Sequence, residues 1–253
     1  MSQYEFSTEI IALPSQGKCY PETNPLSSGN IELKYMTARE EEILTSQSLI
    51  KKGVVLDKLF EAIIVDKKVN PDDILLGDKN AIMLATRILG YGPEYKIEIL
   101  DDNDTKQQVT VDLGKVQTKD IDYSKLSTEN RYQFTTSNGN VLVFKLLTHG
   151  DEKRIDADVN ALKRLNKDSM GSELTTRYRY MIQSVDGKED TKSITDFINN
   201  KFLARDTKGF REYVKNLQPD IKMEFDYTNP ETGETEVRPI TMGVSFFWPS
   251  TES

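Results

Sequence analysis

An α+β fold is predicted by three features of the 253-residue chain. Apolar residues recur at helical spacing over roughly 37–92 and 150–217, and alternate between those stretches and again after them. Turn-forming clusters sit where the period changes, above all Ser137-Asn138-Gly139-Asn140. The chain is also long enough to bury a sizeable core. The expected architecture is two helical blocks around central antiparallel β hairpins, with a C-terminal β hairpin and an aromatic tail.

Residues 1–36 form an N-terminal strand and loop segment. Glu9–Leu13 and Asn30–Tyr35 read as strands, the second with Ile31, Leu33 and Tyr35 on one face. Pro14, Gly17, Pro21, Pro25 and Gly29 break the pattern between them. The first helical block, 37–92, opens on the capping-box match Thr37-Ala38-Arg39-Glu40, and Gly53 divides this helix from the next. Leu56, Leu59, Phe60, Ile63 and Ile64 make an apolar stripe. Asn70-Pro71-Asp72-Asp73 reads as another helix start, and Asp78 as the cap of a short helix that Gly90 ends.

The β-hairpin block, 93–148, pairs Tyr95–Leu100 with Gln107–Leu113, Ile97 and Ile99 facing Val109 and Val111, and pairs Arg131–Thr135 with Val141–Leu147. The second helical block, 149–217, carries stripes at Ile155, Val159, Leu162 and Leu165, then at Leu174, Tyr178, Met181, Ile182 and Val185. Helices over Ser193–Leu203 and Asp206–Leu217 complete it. The last segment, 218–253, is a hairpin turning at Asn229-Pro230-Glu231-Thr232-Gly233, followed by Phe246-Phe247-Trp248.

Composition excludes several functions. A net charge of −8 argues against general binding to nucleic acid or an anionic membrane. One cysteine and one histidine exclude an intrachain disulfide and the usual Cys/His zinc sites. Apolar runs such as Ala81–Ala85 are too short to span a bilayer, and the first ten residues show no secretory pattern. Phosphate-binding glycine motifs, GxSxG and HExxH are absent from the sequence.

The remaining chemistry is sparse. His149 precedes Asp151-Glu152 and could be a general base oriented by an acid, but no nucleophile is marked for it, so a junction residue is the preferred reading. Cys19 has no neighbouring base and reads as a plain buried or loop cysteine. A small hydrolase using His149 or Cys19 is therefore the weakest of the functions considered. Asp101, Asp102 and Asp104 could gather a hard cation, though they lack the EF-hand glycine and distal glutamate and read as a solvated turn. Arg177-Tyr178-Arg179-Tyr180 mixes bases and aromatics, but on a helix these side chains diverge. Catalytic, cofactor and metal sites are accordingly read as none. Phe246, Phe247 and Trp248 are the candidate partner-binding residues, balanced against a role in the core.

Several segments together resemble one family, the baseplate hub assembly proteins of T-even-type contractile-tailed bacteriophages. They are Leu13–Lys18, Met36–Leu44, Asp73–Ala81, Arg87–Gly92, Phe144–Glu152, Ser172–Tyr178 and the closing Phe246-Phe247-Trp248-Pro249. The resemblance covers nearly the whole chain, and the order of the segments is more specific than any one of them. It implies a non-catalytic protein that helps build the central hub of a tail baseplate, as an assembly chaperone or a permanent subunit. The implied partners are hub or tape-measure proteins. The implied place is the host cytoplasm during tail assembly, or the virion baseplate. A CxxC-type metal knuckle of some relatives would fall at Leu100–Asp104, where this chain has no cysteine.

Overall fold

The computed structural model describes residues 7–100, 106–165, 172–229, 232–242 and 244–247. Helices and small antiparallel sheets alternate along the chain, so the fold is α+β. Strands β1 (Thr8–Ala12) and β2 (Asn30–Lys34) pair with Ile11 opposite Ile31. Only Ile31 and Leu33 of the predicted inner face are buried, and Tyr35 is about one-third exposed, at 37%. The irregular loop between these strands is packed inside: Leu13, Cys19, Tyr20 and Leu26 are all buried. Gly17 permits this with φ near +76°, and a Cβ there would strike the Ser27 carbonyl.

Helix α1 (Ala38–Thr45) has the predicted capping box, with Thr37 receiving Arg39 N–H and Glu40 receiving Thr37 N–H. The single helix expected up to Gly53 is two. Ser46 leaves helical geometry at ψ 104° and its hydroxyl caps α2 (Gln47–Lys52), which Gly53 ends at φ +70°. Helix α3 (Val55–Ile63) buries Leu59, Phe60 and Ile63 as the stripe predicts. Asn70-Pro71-Asp72-Asp73 makes only a 3-10 turn, because the next residues bridge Leu75 to Thr148 before α4 (Leu76–Tyr91) begins.

Asp78 is not a cap. It lies inside α4, fully buried, and its carboxylate accepts from Ser15 N–H (2.9 Å) and Tyr20 Oη–H (2.7 Å), pinning the first loop to the helix. Helix α4 passes Gly90 and ends at Gly92, whose φ of +82° a side chain would resist. Gly77 has no room for a Cβ, which would collide with the Pro219 carbonyl oxygen.

Strands β3 (Glu94–Leu100) and β4 (Lys106–Asp112) pair with Ile97 opposite Val109 as expected. Ile99 instead meets Gln107, and Val111 meets Tyr95, because antiparallel pairing runs the two sets in opposite order. Strands β5 (Tyr132–Thr135) and β6 (Val141–Phe144) form the Asn-Gly hairpin, with Gly139 at φ +84°. A third strand completes this sheet. Helix α6 (Ser172–Met181), which follows α5 (His149–Leu165), stops before β7 (Ile182–Val185), which pairs with β6. The stripe continuing through Ile182 and Val185 was expected to be helical; the turn at Asp186-Gly187, both at positive φ, is the local signal against it.

Helices α7 (Thr191–Asn200) and α8 (Ala204–Leu217) cover the sheet. Phe144 of β6 and Phe210 of α8 meet edge to face at 4.9 Å, both fully buried. Strands β8 (Glu224–Thr228) and β9 (Thr235–Pro239) form the last hairpin. The tail turns inward through a 3-10 turn, Val244–Phe247. Among the described residues no helix is long and apolar enough to cross a membrane.

Candidate functional site

The densest polar chemistry gathers where α5 begins. His149 N–H bonds the Ile74 carbonyl at 2.8 Å, locking the start of α5 to the end of the 70–73 turn. Gly150 makes the approach possible, since a Cβ there would lie 2.8 Å from Asp72 Cβ. The result brings His149 and Lys153 of α5 to Asp57 of α3 and to Asp72.

His149 Nε2 lies 2.8 Å from Asp57 Oδ1. Lys153 Nζ donates to Asp57 Oδ1 (2.9 Å) and Asp72 Oδ1 (2.6 Å). Burial, followed by the positive charge of Lys79, pushes the imidazole below its ordinary pKa, so it is neutral near pH 7. Burial raises Asp57, but hydrogen bonds from Lys153 and His149 outweigh it and hold the carboxyl below its usual range. A neutral ring beside a carboxylate carries its proton on Nε2 and gives it to Asp57. Nδ1 is then an acceptor, buried and without a partner among the described residues. Leaving such an acceptor unmatched costs about 1–3 kcal/mol.

The disfavoured reading of His149 as a general base would have drawn its acid from the adjacent Asp151-Glu152. The structure supplies Asp57, 92 positions away in sequence. Asp151 instead accepts from Lys145, Arg154 and Thr148, and Glu152 pairs with Lys79. Each is drawn off by a nearer cation.

Asp57, Asp72 and His149 bring three ligand-type atoms within 4.8 Å of one another, an arrangement sequence reading did not find. Lys153 already stands between the two carboxylates as their cation, so the donor set fits an internal ammonium better than a metal. Cys19 belongs to other neighbours. Its sulfur is 3.5 Å from Tyr132 Oη, and burial raises the thiol to about 11, far from a reactive thiolate.

Beside His149 opens a cavity of about 360 Å³. Leu44, Ile50, Val55, Leu56, Met83 and Phe247 give it apolar walls, and His149, the Lys79–Glu152 pair, Lys153 and Asp156 form a polar side. The four basic-aromatic residues 177–180 do not make a stacking platform: Tyr178 is buried, Arg177 lies 3.8 Å from Glu152, and Tyr180 bonds Asp158. The tail candidates divide. Phe246 and Phe247 are interior, Phe246 meeting Tyr95 edge to face at 5.2 Å while its carbonyl accepts from Arg87 Nε at 3.0 Å. The sequence left the tail balanced between core and partner surface; within the chain the burial of these two rings falls on the side of the core. Trp248 lies outside the described residues, as do Asp101, Asp102 and Asp104.

A family model described as "T4 bacteriophage base plate protein" matches residues 6–248. The chain belongs to that family. The match spans nearly every element described above, from β1 to the buried tail, so the T4-type baseplate family accounts for the whole fold and not for one motif. No curated protein and no solved structure matches the chain. A T4-type baseplate protein works among other baseplate proteins, and the open surfaces of this one suit such contacts. Strands β1–β2, β3–β4 and β8–β9 are two-stranded sheets, and exposed apolar residues sit on two of them, Ile10 and Val237.

Proposed function

We propose that this baseplate-family protein is a non-catalytic assembly factor for the central hub of a contractile phage tail, engaging hub or tape-measure proteins through apolar surface. The observation that carries the reading is the family match over residues 6–248, nearly the whole chain. The surface supports it. Edge strands carrying Ile10 and Val237 are suited to pairing with a strand of another chain. A wider depression of about 560 Å³ is lined by Met181, Val214 and Met223 and by Lys119, Arg211, Lys215 and Lys222, which outnumber its acids Asp220 and Glu224. On a chain of net charge −8, that local excess of base favours an acidic partner segment.

A chaperone leaves the finished particle and a permanent subunit stays. Quantitative mass spectrometry of purified virions and of infected-cell extracts separates them. Presence in the extract in complex with hub proteins, with absence from virions, is the expected result. Stoichiometric presence in virions would make the protein a structural subunit of the hub.

A further inference from the structure

The depression along α8 joins an apolar lining to bases that form no ion pair among the described residues. Arg211, Val214 and Lys215 of α8 and its cap residue Gln218 recur at i, i+3, i+4 and i+7, one face over a length of about 10 Å. Met181 and Phe210 line it from the interior, and Ile221 and Met223 add apolar surface. Arg211 Nη1 donates to Tyr178 Oη at 2.9 Å. Lys119 Nζ donates to the Lys215 and Gln218 carbonyls, which offsets the negative end of the helix. Lys215 and Lys222 are exposed and unpaired among the described residues. Of the acids on the lining, Asp220 accepts from Asn80 Nδ2 and Ile221 N–H, and Glu224 is the other.

We propose that this groove docks an acidic amphipathic helix of a partner protein, with its apolar stripe on Met181, Val214 and Met223 and its carboxylates on Arg211, Lys215 and Lys222. The proposal deepens the baseplate reading and rests on it for the existence of a partner. Charge complementarity selects an acidic occupant, because four bases face two acids here on a chain whose net charge is −8. The backbone selects a helix. Ile221, Lys222 and Glu224 already donate their N–H groups to Asp220 Oδ1, the Gln117 carbonyl and the Lys222 carbonyl, and the Asp220 and Met223 carbonyls accept from Lys119 and Ile240. Little of this segment is left for strand pairing, so recognition falls to side chains, and a helix presents apolar and acidic ones on adjoining faces. Thioethers at Met181 and Met223 adapt to the apolar stripe of the incoming helix. Nucleic acid fits less well: the Tyr178 and Phe210 rings are buried and offer no face on which a base could stack.

The probe is a peptide of leucine, alanine and glutamate of about 15 residues, with leucine at i, i+3, i+4 and i+7 and glutamate on the flanks of that stripe. Its comparators are a peptide of the same composition with the leucines scattered round the helix, a lysine-for-glutamate version, and a single-stranded oligonucleotide. Each is titrated into the full chain carrying 13C-labelled methionine methyls. The acidic amphipathic peptide should shift Met181 and Met223, and the scattered and lysine peptides should bind at least tenfold more weakly. Combining Lys215→Glu with Lys222→Glu should weaken the acidic peptide at least tenfold and tighten the lysine peptide, a reciprocal exchange that loss of folding would not produce.

Equal affinity of the natural chain for the acidic and lysine peptides would overturn the proposal, as would shifts confined to methionines away from the groove or no shift at millimolar peptide. These comparisons need no variant. Tighter binding of the oligonucleotide, with the same two methyls shifted, would make the groove a nucleic-acid site and overturn the assignment. Sedimentation of the chain alone tests a second copy as occupant. A dimer abolished by the paired lysine reversals would overturn the hetero-partner assignment, and a monomer supports it. Virion composition tests the baseplate reading and leaves the peptide comparison untouched, so the two can fail separately.

Discussion

Glu40 shows how much one side chain contributes when it answers several donors at once. Its carboxylate receives Lys34 Nζ at 2.8 Å, Thr37 N–H at 2.9 Å and Thr37 Oγ1–H at 2.6 Å. Burial alone would raise its pKa, but these bonds bring it down from 4.5 to about 2. A carboxyl depressed in the folded state adds stability that is fully present above its unfolded value and is lost as pH falls. The window for Glu40 is therefore pH 4.5 down to about 2. Urea unfolding at pH 6 and pH 3 should show the natural chain losing more stability on acidification than Glu40→Gln. At pH 6 that variant should itself be less stable by about 1–3 kcal/mol. Gly77 makes a steric counterpart. Gly77→Ala forces a methyl against the backbone of Pro219, and a melting curve should show destabilisation toward the upper end of the ~1–3 kcal/mol seen for overpacking. No flexible side chain is present there to yield.

Among the elements, the C-terminal 3-10 turn is one that the sequence left balanced between core and partner surface. Phe246 and Phe247 sit 5.5 Å apart in the interior, and Arg87 of α4 reaches the Phe246 carbonyl while lying 4.9 Å from the Tyr91 ring. Phe246→Ala should cost about 3–5 kcal/mol, the range for emptying a phenylalanine site. Truncation after Met242 should cost at least as much, read by calorimetry on the purified chain. An unchanged melting temperature in either would return the rings to the surface. The same reasoning explains β7. A helical stripe and a buried strand present the same apolar residues, and the choice was made by the unpaired edge of β6, not by residues 182–185 themselves.

At the scale of the whole molecule, the junction of α3, the 70–73 turn and α5 is held by opposite charges rather than by a metal. Elemental analysis of the purified protein should find no stoichiometric zinc, because Lys153 neutralises Asp57 and Asp72 where an ion would sit. Lys153→Met removes that charge and leaves two carboxylates facing His149. This variant should be destabilised and should recover stability when millimolar zinc or manganese is added, which the natural chain should not do. Stabilisation of both chains alike would mean that the cation is displaceable and the site a true metal centre.

The sequence by itself determined the helices and hairpins whose signals are local. The Thr37–Glu40 capping box, the Asn-Gly turn and the stripes of α3, α7 and α8 are set by residues within a few positions of each other. The order of short segments along the chain likewise carried its family, which no single segment could. Only the tertiary structure decided where polar groups without a local partner would find one. Asp78 reaches back 63 residues to Ser15, and His149 reaches 92 residues to Asp57. The sequence neighbours of His149 are acidic, yet they are taken by Lys145 and Lys79. Spacing along the chain holds no record of such pairings, because a buried charge selects its partner by distance in space and by what burial would otherwise cost.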